Sequence, residues 1–339
     1  MKYLFSILIA SFILAIAAWS PNTMDTEGRF SKKTKLSTVL KQLGDKSITH
    51  YPDLSIANVS PLTGENLVLN GFSQTKKGNQ SAKQSKHFVC TSCHNIERED
   101  PDLSVSDPQA RLEYTAQHGL PFLQGTTLYG AVNRTSFYNG DYDKKYGDLV
   151  KPARNDIREA IQLCAVECAQ GRKLKDWELE SVLAYLWTLE LRLGDLNLTE
   201  AQMADIDHAA RKKENQSNTI SLLKSRYLQG SPATFVTPPE DRKVGYQLTG
   251  NPQNGALIYD NSCLHCHNES RYSFFALDHS KFSTKHLDKH FSRYTRYSVY
   301  QVGRYGTPPM NGKRAYMPQY TLERMSNQQM EDLRAYLKN

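Results

Sequence analysis

Cysteine is scarce in this chain, with six in 339 residues, and four of the six sit in two pairs 173 residues apart. That spacing excludes a zinc ribbon or finger, whose paired knuckles lie roughly 15–20 residues from one another. Methionine is scarcer where it would matter most: none occurs between His94 and Met203. A membrane-spanning run is also missing. The apolar stretch Tyr3–Ala18 is 16 residues long, short of the roughly 20 that cross a bilayer. No cysteine follows it, which removes an acylated-cysteine anchor. Lysine and arginine form no patch interleaved with aromatics, so nothing points to a nucleic-acid partner.

What the N-terminus does have is Lys2 ahead of that apolar run and Ala15-Ile16-Ala17-Ala18 at its end. This is the charged, apolar and small-residue order of a secretory signal peptide over 1–18. The protein is expected on the periplasmic side, tethered to the membrane only if the signal stays uncut. The formal charge is +7, and loss of Lys2 with the signal would leave one less.

Both cysteine pairs belong to the same five-residue pattern: Cys90-Thr91-Ser92-Cys93-His94 and Cys263-Leu264-His265-Cys266-His267. Two cysteines three apart can each form a thioether to a haem vinyl group, and the next imidazole reaches the iron from the same side. The pattern therefore predicts two covalently bound haem c groups, on Cys90 and Cys93 and on Cys263 and Cys266. His94 and His267 are the predicted iron ligands. Four propionates would offset most of the positive charge.

Along the chain, 19–63 is polar and reads as a lead-in, with a short helix near Leu36–Leu43. Gly64–Phe72 reads as helix. The stretch after His94 is rich in glycine and carries Tyr114, Phe122, Tyr129, Phe137, Tyr138, Tyr142 and Tyr146 at loop spacing, as the lining of a flat apolar cofactor would. Asn155–Gln170 is predicted helical. A further helix is predicted to be capped by Asp176, with Leu179, Val182, Leu183 and Leu186 on one face. Leu198–Leu228 is read as helix behind Thr199, and Gly230–Pro239 as an extended linker. Ser326 and Gln329 form a capping box ahead of a terminal helix. Leu183-Ala184-Tyr185-Leu186 and Arg334-Ala335-Tyr336-Leu337 end alike, which suggests duplication of one unit. The expected division is 64–196 and 241–339 as two modules, with 197–240 a helical segment and linker between them.

These residues resemble a di-haem c-type cytochrome made of two class I cytochrome c modules. The resemblance implies an all-α fold, two tandem domains with loop-rich haem pockets, and a distal methionine before each closing helix. In the second half, Tyr316-Met317-Pro318-Gln319-Tyr320 followed by the capped helix is similar to the family's Met-Pro loop. Met317 is the implied distal ligand, with Met310, His279, His286 and His290 as alternatives. The first module has no methionine after His94 to offer. Its Ile161-Gln162-Leu163-Cys164 and Ala169-Gln170-Gly171-Arg172-Lys173-Leu174 are similar to the thiosulfate dehydrogenases and related sulfur-oxidising cytochromes, which implies a Cys164 thiolate on the iron and a catalytic role for Cys164. His118, an open site, or a Cys164–Cys168 disulfide are the competing readings. That family tends to place Arg and Ser where Ala160 and Cys168 stand here, so an anionic substrate would need Arg154, Arg158 or Arg172 instead. The expected function is electron transfer between periplasmic or membrane redox partners. A sulfur-compound oxidoreductase taking a small sulfur anion and a di-haem peroxidase are the alternatives.

Overall fold

The computed structural model describes residues 29–74, 78–307 and 316–338. The N-terminal apolar run and Met310 lie outside them. The fold is all-α, as expected, with 48% helix and only isolated β-bridges among the described residues. In the N-terminal half the helices are α1 (Leu36–Gln42), α2 (Pro61–Asn70), α3 (Pro108–Gln117), α4 (Gly140–Tyr146), α5 (Ile157–Leu163) and α6 (Asp176–Leu186). The middle contributes α7 (Glu200–Lys212) and α8 (Gln216–Lys224). The C-terminal part holds α9 (Pro252–Ile258), α10 (Leu264–His267), α11 (Lys281–Phe291), α12 (Val299–Tyr305) and α13 (Asn327–Lys338).

One packing device occurs twice. Helices α2 and α9 each begin with a proline in the first turn behind a capping side chain, Ser60 and Asn251. The fourth residue of each is a glycine. A Cβ on Gly64 would stand 2.5 Å from the backbone carbon of Ser181 and 2.8 Å from Tyr185 Cβ. On Gly255 it would stand 2.6 Å from the Asp332 backbone carbon and 2.7 Å from Tyr336 Cβ. Each glycine thus lets α2 lie on α6, and α9 on α13, at backbone contact. Tyr185 and Tyr336 are the tyrosines of the repeated Ala-Tyr-Leu ending, so the sequence repeat marks the same contact in both halves.

Several expectations change. Asp176 is the first residue of α6 and not its cap; Glu178 closes that end instead, accepting from Lys175 N–H at 2.8 Å. The stretch read as one helix over Leu198–Leu228 is two, broken where Lys213 and Asn215 take positive φ. The lead-in contributes to a core. Phe30, Leu36, Val39, Leu40 and Leu43 are buried against Leu191, Leu193, Leu196, Ile206 and Leu223. Two turns of helix are too short for their apolar face to stand out by periodicity.

The C-terminal core is not assembled from its own half alone. Leu112 of α3 and Phe122 of the following loop are wholly buried among Ile258, Tyr259, Tyr320, Met325 and Leu333. Backbone and side-chain bonds reinforce this, from Phe122 N–H to Asn261 O at 2.8 Å and from Gln329 Nε2 to Pro108 O at 2.8 Å.

Candidate functional site

The first Cys-x-x-Cys-His run forms a 3₁₀ turn, closed when Val89 N–H donates to Ser92 Oγ at 3.0 Å. The amides of Cys93 and His94 both return to Cys90 O, at 3.2 and 3.1 Å. One tight turn therefore gathers both thiols and the imidazole. The second run is reached differently. A π-helical turn over Tyr259–Cys263 extends α9 and passes into α10, which ends on His267. A π turn inserts one residue into the helical register and so re-aims the side chains that follow it.

The two histidines share one hydrogen-bond arrangement. His94 Nδ1 lies 2.6 Å from Thr126 O, and His267 Nδ1 lies 2.7 Å from Phe275 O. A carbonyl only accepts, so each Nδ1 carries the proton and each Nε2 keeps its lone pair. Burial lowers the pKa of both imidazoles, which favours the neutral ligand form. Gly125 makes the first contact possible: a Cβ there would fall 2.5 Å from His94 Cε1 and Nδ1. Burial also pushes the thiols up, to about 11 for Cys90 and Cys266 and about 12 for Cys263, with Cys93 raised further by burial and by Cys266. Among the described residues no three His, Cys, Asp or Glu side chains converge as a metal cluster. The donor set fits a covalent haem instead: two thiols and one Nδ1-anchored imidazole at each run, with apolar and aromatic side chains around them.

The candidate distal side chains fall as follows. Met317 is partly buried against the C-terminal core, the same cluster that Cys263 packs on. Its backbone is clipped in both directions to Thr307, whose Oγ1 accepts from Met317 N–H at 2.8 Å and whose N–H donates to Met317 O at 2.9 Å. His118 is exposed at the end of α3, stacked on Tyr114 at 3.9 Å with its Nδ1 2.8 Å from Tyr114 O. His279 faces Asp260 at 3.7 Å, and His286 and His290 pack on one another along α11. Cys164 and Cys168 open and close a π turn, are free thiols and hydrogen-bond to one another. The Cys168 thiol is raised chiefly by that bond, although its residue is exposed at the surface, and it is close enough to His94 to feel the imidazole's charge.

Tyrosines ring these thiols. The hydroxyls of Tyr138 and Tyr316 are raised above their ordinary value by burial and by the neighbouring Cys168 and Cys164. Tyr142 packs edge-on against Tyr138 at 4.7 Å and against Phe235 of the linker at 4.9 Å. Tyr138, Tyr142 and Tyr146 thus lie near the first site, but not on a loop as expected: Tyr142 and Tyr146 are one turn apart on α4, with Tyr138 just ahead of it. Phe122 and Tyr129 are engaged elsewhere: Phe122 belongs to the C-terminal core and Tyr129 bonds to Asp195 at 2.8 Å. Tyr316 was not legible as part of this site. It packs edge-on to Phe88 at 5.8 Å beside the first run, while its neighbour Met317 packs in the core of the second. The three arginines that could receive an anion are all engaged: Arg154 with Asp143 at 2.8 Å, Arg158 with Glu180 at 2.6 Å and Arg172 with Glu178 at 2.6 Å.

The terminal segment, from the first turn of α9 through the closing helix, holds one complete set of these parts. Residues 252–339 match the family model for cytochrome c. Comparison with curated proteins and with solved structures gives no match. The cytochrome c segment contains Cys263, Cys266, His267, Met317 and α13. It supports a c-type cytochrome with covalently bound haem c and a role in haem-based electron transfer with redox partners.

Proposed function

We propose that the chain is an exported, periplasmic di-haem c-type cytochrome that carries electrons between periplasmic or membrane redox partners, with its second haem module in the N-terminal half. The observation that carries this reading is the pair of equivalent histidines, each bonded through Nδ1 to a backbone carbonyl behind a Cys-x-x-Cys pair. The repeated glycine contacts of α2 on α6 and α9 on α13 support it. Covalently attached haem supplies a one-electron ferric/ferrous couple when bound. Cys90 and Cys93 would hold one group and Cys263 and Cys266 the other, with Nε2 of His94 and of His267 on the iron. Thr307 clips the Met317 backbone, and the Met317 thioether would serve the second site. A thioether ligand raises a reduction potential and a thiolate lowers it, so a methionine on one side and cysteines on the other set the two sites apart.

The test is haem content of denatured protein, since thioethers survive denaturation. Two haems per chain are expected, with one lost in Cys90→Ser/Cys93→Ser and the other in Cys263→Ser/Cys266→Ser. One haem per chain, retained in the first variant, overturns the reading.

The thiol pair near His94 favours a second reading, a thiosulfate dehydrogenase-like oxidoreductase with Cys164 as ligand and catalytic residue. The engaged Arg154, Arg158 and Arg172 weigh against it, because an anionic sulfur substrate needs free positive donors. Turnover of thiosulfate with an artificial acceptor, lost in Cys164→Ala, would establish it; no turnover by the wild type removes it.

A further inference from the structure

His94 is backed by more than a carbonyl. Thr126 C=O, which accepts from His94 Nδ1 at 2.6 Å, belongs to the same peptide unit as Thr127 N–H. That amide donates to Glu99 Oε1 at 3.0 Å. Glu99 has no exposed surface, and its other oxygen accepts from Asn95 Nδ2 at 2.8 Å. Arg324, contributed by the C-terminal half, donates to Glu99 Oε1 at 2.7 Å, and Arg111 Nη1 lies 3.6 Å from Oε2. Burial pushes the Glu99 carboxyl up, but Arg324 and Arg111 outweigh it and hold the group ionised, below its ordinary range. His267 shows no such backing among the described residues, where no hydrogen bond is made by the Ala276 amide, which shares the peptide unit of its Phe275 acceptor.

We propose that Glu99 is a positioning and tuning residue for the first haem site, acting on His94 through the 126–127 peptide, with its charge balanced by Arg324 from the other half of the chain. A carboxylate pulling on one end of a peptide dipole leaves more negative charge on the carbonyl at the other end. That carbonyl then draws harder on the Nδ1 proton, and a more basic imidazole favours ferric iron. The inference rests on the two-haem reading. It adds that the potential of the N-terminal site, and only that one, depends on a salt bridge between the halves.

The test uses full-length holoprotein with Glu99→Gln and, because the single variant leaves Arg324 uncompensated, Glu99→Gln/Arg324→Gln. Redox titration should show one midpoint raised by about 59 mV or more, a tenfold change in a one-electron equilibrium, and the other unmoved. The double variant removes one charge of each sign, so a through-space charge effect would largely cancel there, whereas loss of the peptide relay would persist. In reduced, ¹⁵N-histidine-labelled protein, one of the two protected ring N–H resonances should shift upfield in both variants. Midpoints that do not move, that move together, or that recover in the double variant overturn the proposal, as does an unshifted ring N–H. A wild type carrying fewer than two haems overturns the two-haem reading instead.

Discussion

Replacing Gly255 with alanine tests the helix contact on which the cytochrome c segment is built. The new methyl would stand 2.7 Å from Tyr336 Cβ and 2.6 Å from the Asp332 backbone carbon, against 3.4 Å for an ordinary contact. Neither neighbour is the free end of a flexible side chain, so α9 and α13 must part by about an ångström, enough to forfeit a quarter to a half of each dispersion contact along the seam. Overpacking of this kind costs roughly 1–3 kcal/mol, and a backbone obstacle puts it near the upper end. Alanine's better helix propensity returns about 1 kcal/mol. The net expectation is a loss of about 2 kcal/mol, or roughly 4–8 °C in Tm for a cooperative unit of 150–250 residues. Gly64→Ala should behave alike, its methyl meeting Tyr185 Cβ at 2.8 Å. Gly140→Ala is the control: its nearest neighbour is Arg154 Nη2 at 3.9 Å and its φ is not positive, so a small gain of about 0.5 kcal/mol is expected. Urea unfolding at constant m reads all three. Gly255→Ala within about 0.5 kcal/mol of wild type would refute the backbone-contact argument.

Two further outcomes follow from buried charge. Asp100 is half-buried, and burial together with the neighbouring Glu99 raises its pKa from 3.8 to about 6. Between those values the unfolded chain loses the proton while the folded one keeps it, so stability falls as pH rises through this window. Asp100→Asn should therefore be more stable than wild type at pH 7, by less than about 3 kcal/mol after solvent screening, and equal to it near pH 3; a constant difference across that range would contradict the assignment. Arg324→Met removes the closer partner of a carboxylate with no exposed surface and should cost about 3 kcal/mol or more in denaturant unfolding, whereas a loss under 1 kcal/mol would show that Arg111 alone suffices.

What the sequence made legible was local. The Ser326–Gln329 capping box forms with both of its bonds, at 2.9 and 3.1 Å, and Thr199 caps α7 as read. Helical spacing in Leu179–Leu186 marked α6, and the repeated Ala-Tyr-Leu ending marked the twin helix contacts. Each of these is decided by residues within one turn of each other. The non-local parts were hidden for the same reason. Nothing near Glu99 announces that Arg324 pairs with it, since 225 residues separate them. Gly125 looked like any loop glycine until His94 was placed against it. Tyr138, Tyr142 and Tyr146 stand four residues apart, a helical interval hidden among the surrounding glycines, and the last two lie on α4; which tyrosine fills a core instead depends on what packs against it from afar.

The segment that matches cytochrome c is not self-sufficient in this chain. Its core takes in Leu112 and Phe122, and the Arg111 guanidinium carbon lies over the Phe122 ring, 3.8 Å from its centroid, while Nη2 bonds to Arg324 O. Cutting before α9 would uncover that apolar surface and leave Arg324 without its carboxylate. In the other direction, Tyr316 reaches out of the segment to Phe88 and toward Cys93 of the first run. An interface that exchanges core residues and a buried ion pair is too specific to slide, in contrast to the polar, mobile contact of tethered domains. The two Cys-x-x-Cys-His runs are thus joined through one shared packing. Their separation is fixed by Phe122, Glu99–Arg324 and Tyr316 and not by the length of the 230–239 linker, whose Phe235 is itself packed against Tyr142.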